Sequence, residues 1–458
     1  MKSENGYKPA LFPPPNIEPL ERLTVKDGLL LTADYWRRAH TYHRDRQNIH
    51  YQSLQQPGIV CGLGVSVIPA PADLPAQYRD GRWLQIQSGI AIDLVGNPII
   101  VPQPIDFRIT SEAYERPLIV YVVLSYVDPD KLQRQTSRDI VQETFRIDER
   151  TSPPSNLEVE LCRILLQPGL VQLEKSDDVF APGVNSLDLR YRLRPKARPK
   201  GVMRVAQLTQ NNLQENSKIV SNLSYLLQSV AALYPALQVS EEVGEVTFKT
   251  ELEGVKLSDY DLIYLTYQQL FSLQESEIET VRQYWQAGGV LLVEASSKEI
   301  NIKELNLVHQ QLQEAIADLE GEDELAEIKT QLEAELKSVE ADLAQTIDKV
   351  AFNVKKLAQQ LGTFPDSTGH LSHTHPLRTQ PFLFGQFPTI NKQPTQPFNW
   401  GGIILVIGEL STAWGLDERL LLPREIIRNA QEMGINILYF AWRKHQLTQL
   451  QELQELQE

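Results

Sequence analysis

A chain of 458 residues, 42% apolar and 22% charged, has the composition of a globular protein and room for two to four domains. A net charge of −15 without a basic cluster argues against nucleic-acid binding, because attraction to phosphate supplies most non-specific affinity. No apolar run approaches the ~20 residues that cross a bilayer.

The opening MKSENGYKPALFPPPN has no apolar core of a signal peptide, so a cytoplasmic location is expected. Residues 1–22 read as an extended proline-rich arm. Proline density fixes a polyproline-like path without internal hydrogen bonds, so Phe12, Pro13, Pro14 and Pro15 are candidates for lacing onto a neighbouring surface. Residues 23–197 read as a helix followed by a small β domain. Thr32 is the expected N-cap of a helix over Ala33 to Ser53, which Pro57-Gly58 ends. Strands are expected over Ile59 to Ile68, Trp83 to Ile92, Ile99 to Val101, Leu118 to Tyr126, Val141 to Arg146 and Leu157 to Leu166. Cys61 and Cys162 lie in two of these runs and read as small buried hydrophobes of a reducing compartment.

A basic linker, RYRLRPKARPK, leads to residues 198–300 and 364–445, a discontinuous α/β domain. A helix is expected over Ala206 to Leu233. Next come strands Val246 to Lys249 and Leu262 to Leu265, a helix Glu275 to Ala287 stopped by Gly288, and a strand Val290 to Glu294. Strand, amphipathic helix and strand form one βαβ unit of a parallel sheet. The sheet resumes over Trp400 to Ile407. A helix near Leu420 to Glu432, a Gly434 turn and a last strand Asn436 to Ala441 follow. Residues 446–458 read as a helical tail.

Residues 301–363 interrupt this domain as a helical hairpin. Leu305, Val308, Leu312, Ile316 and Leu319 form one stripe, and Gly321 to Asp323 a turn. A longer stripe runs from Leu325 to Leu361 at a spacing near 3.6, which suits a nearly straight helix. The short arm cannot cover the longer stripe, so Leu336, Val339, Leu343 and Ile347 are candidate interface residues. The fold class is thus α+β multidomain: an N-terminal helix plus small β domain, then a parallel sheet carrying an inserted αα-hairpin.

Chemistry is sparse. The strand Leu262 to Leu265 leads into Thr266-Tyr267-Gln268-Gln269, without a nucleophile or a phosphate-cradling glycine run. Neither cysteine lies in the α/β domain, Gly408-Glu409-Leu410-Ser411-Thr412 lacks the second glycine of a serine elbow, and no dinucleotide or Walker glycine pattern occurs. His370, His373 and His375, with Asp366 nearby, form the one metal-like cluster; three imidazoles could hold Zn²⁺, and the plainer reading is a polar loop with one structural histidine. His40 and His43, about one helical turn apart, could form a metal pair; the plainer reading is a helix face beside Arg37, Arg44 and Arg46. Asp259, Asp261 and Glu294 read as turn capping and surface charge. No catalytic residue and no cofactor is expected.

The motifs VKDGLLLTADYW at 25–36, PGIVCGLGV at 57–65 and SGIAIDLVGNPIIV at 88–101 resemble, in their order and spacing, the N-terminal domain of baseplate-associated proteins of phage-tail-like contractile injection systems. LSDYDLIYLT, LFSLQESEIETVRQYWQAGGVLLVEAS, HPLRTQPFLF, GGIILVIGELSTAW and EMGINILYFAWR are similar to an uncharacterised flavodoxin-like family related in fold to class I glutamine amidotransferases, relative to which the hairpin is an insertion. The fusion resembles cyanobacterial contractile-injection-system proteins. What these resemblances imply is a structural baseplate or baseplate-cage component that is not an enzyme. Its partners would be other baseplate, sheath and tube subunits and copies of itself in a symmetric particle. It would bind no nucleic acid and meet a membrane only through the assembly. The rival expectation is a small-ligand-binding or metal-dependent hydrolase-like α/β enzyme using the His370, His373 and His375 loop.

Overall fold

A computed structural model of the chain describes residues 18–128, 142–169, 171–209, 213–240, 242–248, 256–319, 325–362, 369–390, 393–415 and 422–455. Phe12, Pro13, Pro14, Pro15, the Gly321 to Asp323 turn and Asp366 lie outside them. Two compact units divide the chain at Arg198 and Pro199.

The first unit opens with α1 (Ala33–Leu54), capped as expected by the Thr32 side chain, which accepts from the Tyr35 amide. Ten strands follow: β1 (Gly58–Gly62), β2 (Val65–Val67), β3 (Trp83–Ile86), β4 (Gly89–Ile92), β5 (Pro98–Val101), β6 (Ile105–Arg108), β7 (Leu118–Val127), β8 (Thr144–Arg150), β9 (Glu158–Leu166) and β10 (Leu187–Asp188). They build three antiparallel sheets, β1-β4-β5, β2-β3-β6 and β10-β9-β7-β8.

The expected strands Ile59 to Ile68 and Trp83 to Ile92 are each two strands in different sheets. The chain changes sheet at Leu63, which takes a left-handed φ of 54°, and again at Gln87-Ser88. Gly62 is required at the first crossing: a Cβ there would lie 2.1 Å from the Ser88 carbonyl oxygen, and its φ is +64°. Leu63, Leu84, Ile86, Val122, Leu124 and Ile164 are fully enclosed and centre the core. Cys162 belongs to it, and burial pushes its thiol up to about 12. Cys61 does not: it is exposed on β1, an edge strand whose register shifts between Ile59 and Cys61.

The second unit contains β11 (Gly201–Met203), β12 (Val205–Leu208), α2 (Leu213–Leu233), β13 (Leu237–Val239), β14 (Gly244–Val246), β15 (Leu262–Thr266), α3 (Tyr267–Phe271), α4 (Glu275–Gln286) and β16 (Val290–Ala295). The hairpin is α5 (Lys303–Asp318) and α6 (Ala326–Leu361). Then come α7 (Pro376–Thr379), β17 (Thr389–Ile390), β18 (Gln393–Pro394), β19 (Gln396–Trp400), β20 (Ile403–Ile407) and α8 (Arg424–Glu455).

Six strands form one mixed sheet in the order β14-β12-β15-β16-β20-β19; all pairs are parallel except β19 with β20. Numbering its five parallel strands along the chain gives 2-1-3-4-5, the doubly wound order of flavodoxin-like sheets. The strands are apolar on both faces because helices cover both. Leu262, Leu292 and Ile404 join the core under α2 and α8, while Ile263, Leu291 and Ile403 join the core under α4 and the end of α6.

Three expectations fail here. Val205 to Leu208 is a central strand rather than the start of a helix. Trp400 to Ile407 is a hairpin turned at Gly401-Gly402. Asn436 to Ala441 is not a strand but the middle of α8, with Met433, Ile435, Ile437, Leu438 and Ala441 all buried. Gly434 does not turn the chain; a Cβ there would come within 2.5 Å of Leu226 Cδ1 and 2.9 Å of Trp414 Nε1, so it lets α8 approach α2 closely.

Candidate functional site

Open α/β sheets offer ligands the crevice beyond the carboxyl ends of the strands, where the strand order reverses. Here that point lies between β12 and β15. Tyr264 of β15 and Glu294 of β16 point to the same face, and the Tyr264 hydroxyl donates to Glu294 Oε2. The Ser411 amide, in the turn after β20, donates to Glu294 Oε1 at 2.8 Å. All three residues are buried. Burial pushes the Glu294 carboxyl above its ordinary range, and the bonds from Ser411 and Tyr264 oppose this only in part. Burial and the adjacent Glu294 charge hold the Tyr264 hydroxyl well above its usual value. Glu294 is therefore not a surface charge; it fastens the turn after β20 onto the sheet.

Gln207 of β12 stands in register beside Tyr264. It is fully buried, and neither its amide nitrogen nor its amide oxygen meets a partner among the described residues. The readable signal for this group was a tyrosine and a glutamate interrupting the apolar strands LIYLT and VLLVEA; Gln207 was hidden inside a stretch read as helix.

At the amino ends of the strands, Asp261 is also buried rather than a surface cap. Its Oδ2 accepts from the Arg204 amide at 2.8 Å, and its Oδ1 lies 2.7 Å from His445 Nδ1. The other His445 ring nitrogen lies 2.9 Å from Gln449 Nε2. The pair clamps α8 across the start of β15. Among the described residues no hydroxyl or thiol nucleophile joins it by a hydrogen bond.

The three loop histidines do different things. His375 caps α7, its Nδ1 accepting from the Leu377 amide at 3.2 Å, and burial lowers its pKa. His370 packs against the Phe398 ring with centroids 4.9 Å apart, and His373 is exposed. Among the described residues no three His, Cys, Asp or Glu side chains converge on a metal position. Asn436 fixes the same loop: its amide donates to the Leu377 and Phe382 carbonyls at 3.0 and 2.7 Å and accepts from the Phe382 amide at 2.9 Å. Beside it a cleft of about 540 Å³ is lined by Leu383, Phe384, Phe387, Glu425, Ile426 and Glu432, among others.

The other unusual surfaces belong to helices. In α1, residues 33–38 are exposed on every side, and Trp36 is 58% exposed. Arg37 bonds Asp34 at 2.6 Å on this bare end; further along, Arg44 reaches Asp128 at 3.5 Å. In the hairpin, α5 packs along α6, with His309 Nε2 3.3 Å from Glu340. Leu336 and Val339 are half-buried along this stem, whereas Leu343 and Ile347, expected as interface residues, already pack against the core of their own unit because they lie near its sheet end. Val350, Val354, Leu357 and Leu361 are buried against the sheet of the same unit. The longer stripe is thus closed by its own chain at its sheet end. Among the described residues no helix is long and apolar enough to cross a membrane.

None of the curated proteins matches this chain. Among solved structures it is similar to a crystal structure of TssK at 10% sequence identity and a TM-score of 0.22, with 82% of this chain and 66% of that chain covered. The chain therefore spans just under two thirds of the length of that protein, and a likeness at this level fixes neither fold nor role. Residues 204–442, which hold the whole mixed sheet, match the family model described as "Domain of unknown function (DUF4159)", and the chain belongs to that family.

Proposed function

We propose that this protein is a structural subunit of a phage-tail-like contractile injection particle, placed at or around the baseplate, that acts by packing against other chains and makes or breaks no bonds. The observation that carries the reading is the pair of bare helical elements. Residues 33–38 of α1 and the outer part of the α5–α6 stem have no buried residue between them among those described. Helices gain most of their stability from covering an apolar face, so a helix left uncovered belongs with a partner. The motifs at 25–36, 57–65 and 88–101 suggest the class of particle. The crevice supports the same reading, since Glu294, Tyr264 and Ser411 use their polar atoms on one another. The test is purification of intact contractile particles from cells that make this protein, followed by quantitative mass spectrometry and cross-linking. A fixed copy number per baseplate, with cross-links from α1 or the hairpin to other chains, is expected. Absence from particles overturns the proposal.

A second reading, a small-ligand site at the switch point, is favoured by the unpartnered amide of Gln207. It predicts a metabolite that raises the melting temperature of the wild type and not of Gln207→Leu.

A further inference from the structure

Two incomplete helical elements of this chain carry opposite charge. Between Lys303 and Ile347 the hairpin holds twelve carboxylates against three lysines, a net −9. Its apolar stripe is also only half-covered. No residue of α5 is buried, and none of the described residues of α6 is buried before Val350, although Leu305, Leu312, Leu332 and Leu336 face along its stem at helical spacing. Two helices bury only one strip of each other; a third laid in the groove between them completes a bundle core.

The amino-terminal half of α1 has the complementary character. Over residues 33–46 it carries four arginines, of which Arg44 is held by Asp128, against two aspartates, together with two histidines. Tyr35 and Trp36 are 37% and 58% exposed, and the Leu30-Leu31 pair just before them is 79% and 51% exposed. Its Arg37–Asp34 contact is an exposed pair of the kind worth little, so it yields readily to a new partner.

We infer that the amino-terminal end of α1 docks on the outer half of the α5–α6 hairpin of a second copy of this chain. The tryptophan and tyrosine meet the groove between the helices, Arg38 at the edge of that face lies along the acidic flank of α6 that carries Glu333 or Glu335, and Arg37 adds its charge at longer range. An aromatic anchor flanked by arginine is the side-chain chemistry that dominates well-packed interfaces. The contact is heterologous, because the two faces differ. Each copy therefore offers one donor helix and one acceptor hairpin, and both are satisfied when copies repeat in a closed assembly or an open chain. This rests on the assembly reading and names its partner.

The test uses the full-length protein in low salt, by sedimentation velocity over a concentration series. The wild type is expected to self-associate, less so as salt rises. Arg37→Glu/Arg38→Glu and, separately, Glu333→Lys/Glu335→Lys each place like charges together and are expected to weaken association about tenfold or more. All four positions are exposed, so circular dichroism should be unchanged. Mixing the two variants, or combining all four changes in one chain, is expected to restore association. Trp36→Ala weakens it without changing the salt dependence. A wild type that stays monomeric, or association that both charge reversals leave intact, overturns the inference. If the protein still enters purified particles in that event, the baseplate reading stands without it; absence from particles fails that reading separately.

Discussion

The two ends of α6 are one helix in two environments. From Val350 to Leu361 the stripe lies on the sheet and is buried; Leu343 and Ile347 still touch that core, while from Glu327 to Val339 the same spacing runs along α5 and is half-buried at most. Periodicity therefore sets which residues share a face, while the depth of burial is set by what the rest of the fold brings to that face. The difference can be read as energy. Leu361, 1% exposed among the side chains under the sheet, is a position where truncation is costly. Leu361→Ala should destabilise the second unit by about 2–4 kcal/mol through lost transfer and a residual cavity. Urea unfolding followed by tryptophan fluorescence checks this. Because the chain has two units, the transition of the second must be resolved separately. A cost below about 1 kcal/mol would show that the sheet end of α6 is no better covered than the outer end.

A covered helix is also tested by adding atoms. Gly→Ala inside a helix ordinarily gains about 1 kcal/mol. At Gly434 the new methyl meets Leu226 and the Trp414 indole nitrogen, which already donates to the Ala430 carbonyl at 2.9 Å. Gly434→Ala should therefore destabilise by about 1–2 kcal/mol, overpacking outweighing propensity. A stabilised variant would mean that α8 is bare at this point, like the outer part of α6.

The same element shows what was legible in the sequence and why the rest was not. The hairpin could be read because its stripes run for many turns, and α4 because a glycine stops it. Asn436 to Ala441 could not, since a short apolar run after a glycine fits a strand and a buried helix equally. What decides it is tertiary: Asn436 turns inward to hold the Leu377 and Phe382 carbonyls. Val205 to Leu208 failed for the same reason, a four-residue strand whose burial comes from neighbours on both sides. In the candidate site, Glu294 was visible as a charge in an apolar strand, but its burial depends on the turn carrying Ser411, which lies 117 residues away in sequence.

Covered polar groups extend the comparison to pH. Burial raises the Glu294 carboxyl pKa in the folded state. Between its unfolded and folded values the folded protein holds more protons than the unfolded one, so stability falls as pH rises through that window. The contribution is most favourable below the ordinary carboxylate range and is lost above the folded value. Glu294→Gln keeps a group that can accept from the Ser411 amide and should flatten this part of the stability profile of the second unit. Melting temperatures across mildly acidic to neutral pH measure it. An unchanged slope would place Glu294 in contact with solvent.

The smallest effect belongs to the outer end of α6. Leu336 is half-buried along the stem, so Leu336→Ala removes side-chain area that is partly wet already and leaves no closed cavity. Its cost to the isolated protein should stay below about 1 kcal/mol, several-fold less than that of Leu361→Ala, although the two leucines lie on one stripe of one helix. The contrast sharpens when the stem is covered. If another chain completes its core, the same substitution should weaken assembly more than it weakens folding, because Leu336 then loses a dry environment instead of a wet one. Measuring both quantities on one variant separates the roles. Equal losses would mean that the outer stem is held only by its own chain; a larger loss in assembly means that the half-covered stripe is completed by another.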